Sequence, residues 1–571
     1  MNTLIARIGS SIHAIALLSA MLLGVLSNWT VQFAYGYSSG LNDHSVLSLH
    51  GLQMADPTKF VNDWFMNSAP QPHWLFDVVT YIGVITNSLS VAYFIYWVVG
   101  LVVFGYATVI LARRWTPEYT AAATLSVTVI IALVPWNAVG TGSSMIAQAL
   151  PTVLAGHLVY LSIALLLTER YRALPFVAGA VALVHVQQGA VIGIMMAATA
   201  VLRFITDKRV NWSLVLATGA AAAGTALGLS LRPVAANLSD FVTVCNTIIP
   251  YHCAAQTWGI RGLVAFAGII GLSFLTFFLV DKSNRANWIG SLALAAFGLL
   301  AGMTVNALSV PILGELAQAV NVYRLGVVVL PFAVWGIVTP AIRAIRGDSS
   351  LMIVGAGAAL VGAYFLLDGW PIGNRFIRGT VLAVVIAIPL VVMWLKSARK
   401  NSGPLWWPVS ATAATFAIAA VIAGSIVIRP LNIDYVPVSG LKEWGSQVAE
   451  VIPVGGIMLA PPGSHPIRQV TGRAVIADCK NVPYGGDSWN EWRARIADLG
   501  GYKQCLDPRL ETFSKFSAVT LDRLADKYGA DYIVLSKSHL ARVSDGLTEY
   551  GWKVVVEAPN DGTVNAVVLT K

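Results

Sequence analysis

Apolar runs recur along the chain from residue 11 to residue 428, and most reach the 18 or so residues a helix needs to cross a bilayer. They fall near 11–30, 89–112, 118–135, 151–168, 173–186, 189–206, 212–230, 262–280, 287–307, 326–342, 351–368, 379–395 and 405–428. The run at 173–186 is short, and Gln187-Gln188-Gly189 breaks it from the next. A re-entrant pair is therefore weighed there against two full crossings.

Beyond Pro430 the period changes. Short Val- and Ile-rich runs at Gly456–Ala460, Ala474–Asp478, Asp531–Ser536, Lys553–Glu557 and Ala566–Thr570 predict strands. Stretches at Leu441–Val451, Ser488–Leu499 and Leu521–Tyr528 predict helices. The expectation is a polytopic α-helical membrane protein with about thirteen transmembrane helices over 1–429. A small α/β domain with a mainly parallel sheet is expected over 430–571.

Composition agrees with that pattern. Of 571 residues, 56% are hydrophobic and 11% charged, against about 25% charged in a soluble domain. The net charge of +9 would suit nucleic acid, but its placement points elsewhere. Arg7, Arg113, Arg114, Arg170, Arg172, Arg203, Lys208, Arg209, Lys282, Arg285, Arg343, Arg346, Lys396, Arg399 and Lys400 crowd every second connection. The alternate connections hold only Lys59, Arg232, Arg261, Arg324, Arg375 and Arg378. That asymmetry is the positive-inside rule, so no nucleic-acid partner is expected. The N-terminus is placed in the cytoplasm and the α/β domain outside it. Membrane lipids are the first implied partners.

All four cysteines, Cys245, Cys253, Cys479 and Cys505, fall on the side assigned as outer. An oxidising compartment then predicts two disulfides, Cys245–Cys253 and Cys479–Cys505. No CxxC or Cys/His spacing suggests structural zinc. The α/β domain carries no GxGxxG, Walker or Gly-x-Ser-x-Gly motif.

The richest polar segment lies between the first two spans, in a loop of roughly 45 residues, long enough to carry function. It holds Asn42-Asp43-His44, His50, Asp56-Pro57 and Asn62-Asp63-Trp64. Its middle reads as an amphipathic helix on the membrane surface, with Phe60, Val61, Trp64 and Phe65 as anchors. Asp56 before Pro57 reads foremost as a helix N-cap. Asp63 is either a solvated acid or lines a cavity. Asp43 has no capping signature and is the candidate catalytic carboxylate. On the same side lie Asn137, Thr141-Gly142-Ser143-Ser144, His185, Gln187, Gln188 and Arg324. Acids on one loop with an arginine on a facing helix would suit an anionic, lipid-linked substrate. Boundary ionisable groups are functional candidates as well as headgroup anchors.

With these motifs the chain resembles the GT-C superfamily of membrane glycosyltransferases, and more closely a set of poorly characterised bacterial relatives. The resemblance rests on Asn42-Asp43, Asp56-Pro57 and Asp63-Trp64-Phe65, on His185 after a short apolar helix, and on Arg324 heading a span. In the α/β domain it rests on Ala460-Pro461-Pro462, Thr471-Gly472-Arg473-Ala474-Val475, Lys480-Asn481-Val482-Pro483-Tyr484 and Tyr528-Gly529-Ala530-Asp531-Tyr532. It implies a transferase of the bacterial inner membrane that moves a sugar from a polyprenyl-phosphate donor to a glycan, lipid or protein acceptor outside. Asp43 would be the base, Arg324 would hold the phosphate, and Asp63 and His185 would orient base or donor. His44 and Gln188 are further substrate-binding candidates. GT-C loops often carry paired acids, whereas here His44 follows Asp43, so a divalent cation is left open and no metal ligands are assigned. The competing readings are a transporter or lipid flippase, and an envelope assembly protein.

Overall fold

The computed structural model describes residues 11–29, 37, 39–69, 73–133, 149–231, 238–345 and 431–571, apart from 439, 465, 484–485, 508–509 and 559–563. The last three expected spans, and the polar group at Asn137 and Thr141–Ser144, lie outside these residues. The chain divides into two compact units. One comprises Met1–Tyr37, Ile95–Gly228 and Ile249–Leu431; the other comprises Ser38–Phe94, Leu229–Ile248 and Asn432–Lys571. The segment after the first helix thus groups with the C-terminal domain.

In the first unit the helices coincide with the apolar runs: Ile12–Trp29, Thr120–Leu133, Pro151–Leu167, Leu174–Val184, Val186–Asp207, Gly259–Ser273, Leu294–Ala307 and Gly326–Ile345. Helices Leu89–Trp115 and Trp212–Leu231 do so as well. Among the described residues, five helices are long and apolar enough to cross a membrane. Close helix approach relies on missing side chains. A Cβ on Gly336 would lie 2.0 Å from the Leu272 carbonyl oxygen, which is why Gly259–Ser273 can seat against Gly326–Ile345. Buried Trp115, Trp288, Phe332, Trp335 and Tyr160 fill the centre with edge and stacked ring contacts. Trp335 Nε1 donates to the Tyr160 hydroxyl at 2.8 Å and Trp288 Nε1 to Asp281 Oδ2 at 2.9 Å, while Trp115 Nε1 has no hydrogen-bond partner among the described residues.

In the second unit Leu441–Val451 is a helix because Trp444 and Val448 recur on one buried face, and Pro453 follows its end. Ala518–Tyr528 starts on the Ser517 cap and stops at Gly529 in the left-handed region, φ +60°. Five strands, β1 (Ile457–Leu459), β2 (Ala474–Val475), β3 (Tyr532–Leu535), β4 (Lys553–Glu557) and β5 (Val567–Thr570), lie at the five expected places. Their order is β2-β1-β3-β5-β4. The sheet is mixed rather than mainly parallel: β1 is parallel to β2 and β3, while β5 is antiparallel to β3 and β4. The physical reason is that β4 and β5 form a hairpin, which the strand pattern does not distinguish from two crossovers.

The first loop is not a membrane-surface helix. It folds as Leu49–Ala55, a run of turns, the five-residue helix Trp64–Ser68, and Trp74–Ile85. Phe60 and Phe65 are buried with Leu49, Leu52 and Met66 in a small core, while Val61 is exposed. Their apolar face is satisfied by protein, which leaves little for lipid.

Candidate functional site

In the first unit, helix Leu174–Val184 has eleven residues and rises about 16 Å, half a bilayer core. It ends at His185, which is extended at φ −151° and caps the next helix, its Nδ1 facing the Gln188 N–H at 3.4 Å. Gly189 permits the tight return, because a Cβ there would meet Ala182 Cα at 2.4 Å. Across the fold, Arg324 sits in a single helical turn, Val322–Leu325, directly before Gly326–Ile345. Its Nη1 lies 3.1 Å from His185 Nε2, although the two residues are 139 positions apart in sequence.

As a hydrogen bond, that contact needs the lone pair on Nε2, because arginine has donors only, and the neutral imidazole then carries its proton on Nδ1. In that tautomer Nδ1 is a donor and no longer accepts from the Gln188 N–H 3.4 Å away. Gln187 Nε2 donates to the Val320 carbonyl, tying the break to the segment before Arg324. Gln188 Nε2 donates to the Thr152 carbonyl at 3.4 Å, and its buried Oε1 has no hydrogen-bond partner among the described residues. His185, Gln188 and Arg324, three of the expected site residues, are therefore together.

The other ends of these helices hold a different cluster. Arg203 lies eighteen positions beyond His185, about 27 Å along the helix. It pairs with Glu169 and donates to Asn284 and Asn287, at 3.0–3.1 Å. Those asparagines in turn donate to the Leu167 and Leu166 carbonyls at the end of Pro151–Leu167. Each nitrogen of the Arg203 guanidinium thus has a partner, Nη1 taking Asp207 at 3.4 Å, and the cluster reads as a structural pin.

In the second unit, Asp43 is half-exposed and pairs with Lys480 Nζ at 2.5 Å. His44 is fully buried, edge-on to Tyr93 and Phe76, and neither ring nitrogen has a hydrogen-bond partner among the described residues. Burial pushes its imidazole down to about 4, against the opposing pull of Asp43.

Asp63 shows an arrangement neither expectation anticipated: it is fully buried and every approach is used. Oδ1 accepts from the Phe65 and Met66 N–H groups at 3.1 and 3.2 Å, capping Trp64–Ser68. Oδ2 accepts from Arg468 Nε at 2.7 Å and from the Val475 N–H at 3.2 Å. The N-cap expected at Asp56 is thus at Asp63. Asp56 instead closes Leu49–Ala55 and accepts from the Thr58 hydroxyl at 2.6 Å and its N–H at 3.1 Å, which lowers its pKa. Proline at 57 starts a turn rather than a helix.

Residues 441–499 match a domain of unknown function (DUF6798). No curated protein matches the chain. Among solved structures it is similar to the oligosaccharyltransferase of Archaeoglobus fulgidus, crystallised with zinc and sulfate. The identity is 15% and the TM-score 0.38, over 92% of this chain and 68% of that one. At that score the likeness carries no argument.

The DUF6798 segment contains residues the sequence reading left without a role. Arg468 is buried and also binds Asp478, making a triad with Asp63. Asp478 Oδ1 accepts the N–H groups of Lys480 and Asn481, at 2.9 and 2.7 Å. Cys479 between them is bonded to Cys505, with Cα atoms 5.1 Å apart, as expected. Cys245 and Cys253 are disulfide-bonded too, and no cysteine is free. The available signal was the Lys480–Tyr484 motif beside a bridged cysteine. Arg468, in a short helix opened by Pro466, gave none. Among the described residues no group of three His, Cys, Asp or Glu side chains is placed to hold a metal.

Proposed function

We propose that this chain is a membrane glycosyltransferase that takes its sugar from a polyprenyl-phosphate donor. The observation that carries the reading is the Arg324–His185 contact. A guanidinium beside a neutral imidazole, at the mouth of apolar helices, suits the phosphate of a lipid-linked ligand. In this reading Asp43 takes the proton of an acceptor hydroxyl as its oxygen attacks the anomeric carbon. The carbon–oxygen bond to phosphate breaks, its electron pair goes to the departing phosphate, and the configuration inverts. General-base help of this kind is worth about 10²–10⁴-fold. Arg324 stabilises the charge that develops on the phosphate oxygens. Asp63 acts as a positioning residue, since its oxygens are already bound. The bacterial inner membrane, with the acceptor on its outer face, is the compartment this reading requires.

A second reading is favoured by the half-length helix that breaks at His185, because discontinuous helices are also the hallmark of transporters. One experiment separates them. Envelope glycans and lipid-linked precursors are profiled in cells whose only copy is wild type, Asp43→Asn, Arg324→Met or a deletion. The transferase reading expects Asp43→Asn to match the deletion, with donor lipid accumulating on the outer leaflet. Wild-type glycans in Asp43→Asn overturn the base assignment. Accumulation on the inner leaflet in the deletion replaces the transferase with a flippase.

A further inference from the structure

The segment Asp478–Asn481 is held far more firmly than an idle surface loop requires. Asp478 binds the buried Arg468, and its carbonyl accepts from Trp492 Nε1 at 2.9 Å. The Cys479 N–H donates to the Pro462 carbonyl at 2.8 Å, and its sulfur is bonded to Cys505. The backbone N–H groups of Lys480 and Asn481 both end on Asp478 Oδ1, as does Asn481 Nδ2 at 3.1 Å. From this fixed base two side chains reach the loop that bears Asp43. Lys480 Nζ meets Asp43 Oδ1 at 2.5 Å, and Asn481 Nδ2 meets the Ser45 carbonyl at 3.4 Å.

The strength of that base is out of proportion to what the exposed pair adds to folding. Half-exposed ion pairs contribute little stability, because both partners remain solvated and their ordering costs entropy. A rigid platform that presents one ammonium to one carboxylate instead fixes where the carboxylate points. The Asp63–Arg468–Asp478 triad ties the platform to the same first loop, through the cap of Trp64–Ser68.

We propose that Lys480 is a positioning residue for Asp43, mounted on the Asp478–Asn481 segment, and that it aims the carboxylate at the acceptor hydroxyl. The proposal rests on the transferase reading above. The lysine keeps the acid in one rotamer. Asn481 holds the backbone two residues further on. Misplacement of a reacting group by about 1 Å costs on the order of 10²-fold in rate, so the effect belongs in kcat.

The test uses the full chain in nanodiscs, with a radiolabelled polyprenyl-phosphate hexose as donor and envelope glycan from a deletion strain as acceptor. Lys480→Met is expected to lower kcat by about 10–10²-fold while the donor KM stays within about twofold. Lys480→Arg should restore most of the rate, because it returns a cation to the same place. A merely structural lysine would lower the active fraction and melting temperature together, without that rescue. The double variant Lys480→Met/Asp43→Asn should be no slower than Asp43→Asn alone. Wild-type kcat in Lys480→Met beside an inactive Asp43→Asn overturns this inference and leaves the transferase reading standing. Wild-type kcat in both, or no transfer by the wild type, overturns the transferase reading. Geometry is checked without activity: Asp43→Cys/Lys480→Cys should be bridged by a short bis-methanethiosulfonate reagent, and failure to bridge removes the pair itself.

Discussion

Asp63 and Arg468, separated by 405 residues, meet at 2.7 Å with both side chains fully buried. The carboxylate comes from the loop after the first helix and the guanidinium from the C-terminal domain. Burying either charge alone would be prohibitive, so each is kept where it is by the other, by Asp478 and by the backbone donors on Asp63. The loop and the domain are accordingly one folding unit, as their grouping indicates.

Removing one partner of this triad leaves an uncompensated buried charge. Arg468→Met should cost about 3–5 kcal/mol, far more than truncating a surface arginine. The measurement is the melting temperature of the purified chain, with limited proteolysis of the loop and of the C-terminal domain. Both regions should lose protection together. Arg468→Lys should not rescue, since an ammonium does not reproduce the two directed contacts made by Nε and Nη1. Loss of protection in the C-terminal domain alone would mean that the loop folds without it.

Much of this fold was legible, and the exceptions share a cause. The long apolar helices through Ile345 and all five strands follow from the sequence pattern, whereas Leu49–Ala55, Trp74–Ile85, Leu238–Thr247 and Leu313–Ala319 lie between the apolar runs and were not expected. His185 and Arg324 stood out for a related reason: ionisable groups at the ends of apolar runs are rare. Arg468 and Asp478 did not, because each looks like an ordinary surface charge until its partner is known. Asp56 and Asp63 took roles other than those expected for the same reason. Whether an acid caps a helix depends on whether the residues after it helix, and here the turn at 57–62 intervenes before Trp64. Phe60 and Phe65 face inward on a small core with Leu49, Leu52 and Met66, which forms only because the chain turns at 57–62 instead of continuing as a helix.

His44 supplies a pH dependence whose sign is fixed by burial. Its imidazole is held down to about 4 in the fold against an ordinary value of 6.5. Between those values the unfolded chain binds more protons, so stability is complete above pH 6.5 and falls as pH drops toward 4. The limiting loss is roughly 3 kcal/mol. His44→Phe should flatten that dependence, since it fits beside Phe76 and Tyr93 without a proton to bind. Melting curves at pH 7 and pH 4.5 decide the matter, with carboxylates common to both proteins cancelling in the difference. An equal drop in the two proteins would rule His44 out as the source.

The Cys479–Cys505 bridge closes a separation of 26 residues. Loop closure of that length is worth about 3.5 kcal/mol in the chain-entropy picture. Cys505→Ser should therefore lower the melting temperature, and it should abolish the mobility difference that reduction produces in the isolated C-terminal tryptic fragment. Unaltered mobility of the wild-type fragment on reduction would show that the bridge does not form in the cell.

The Arg324–His185 pair can be probed without any knowledge of the sugar. A ligand that binds only the folded chain stabilises it by RT ln(1 + [L]/Kd), about 2.7 kcal/mol at a hundredfold excess over Kd. Polyprenyl phosphate added to the wild-type chain in nanodiscs should raise the melting temperature, and the dephosphorylated polyprenol should not. Arg324→Met should lose that increment, because it removes a fixed cation with several donors. His185→Phe should lose part of it and Gln188→Leu less, since neither removes a charge. His185 acts through Nε2, the one ring atom facing the guanidinium at 3.1 Å, so His185→Gln, which offers an acceptor in that direction, should retain more binding than His185→Phe. Equal stabilisation of all variants by polyprenyl phosphate would place the lipid elsewhere on the protein and detach Arg324 from the donor.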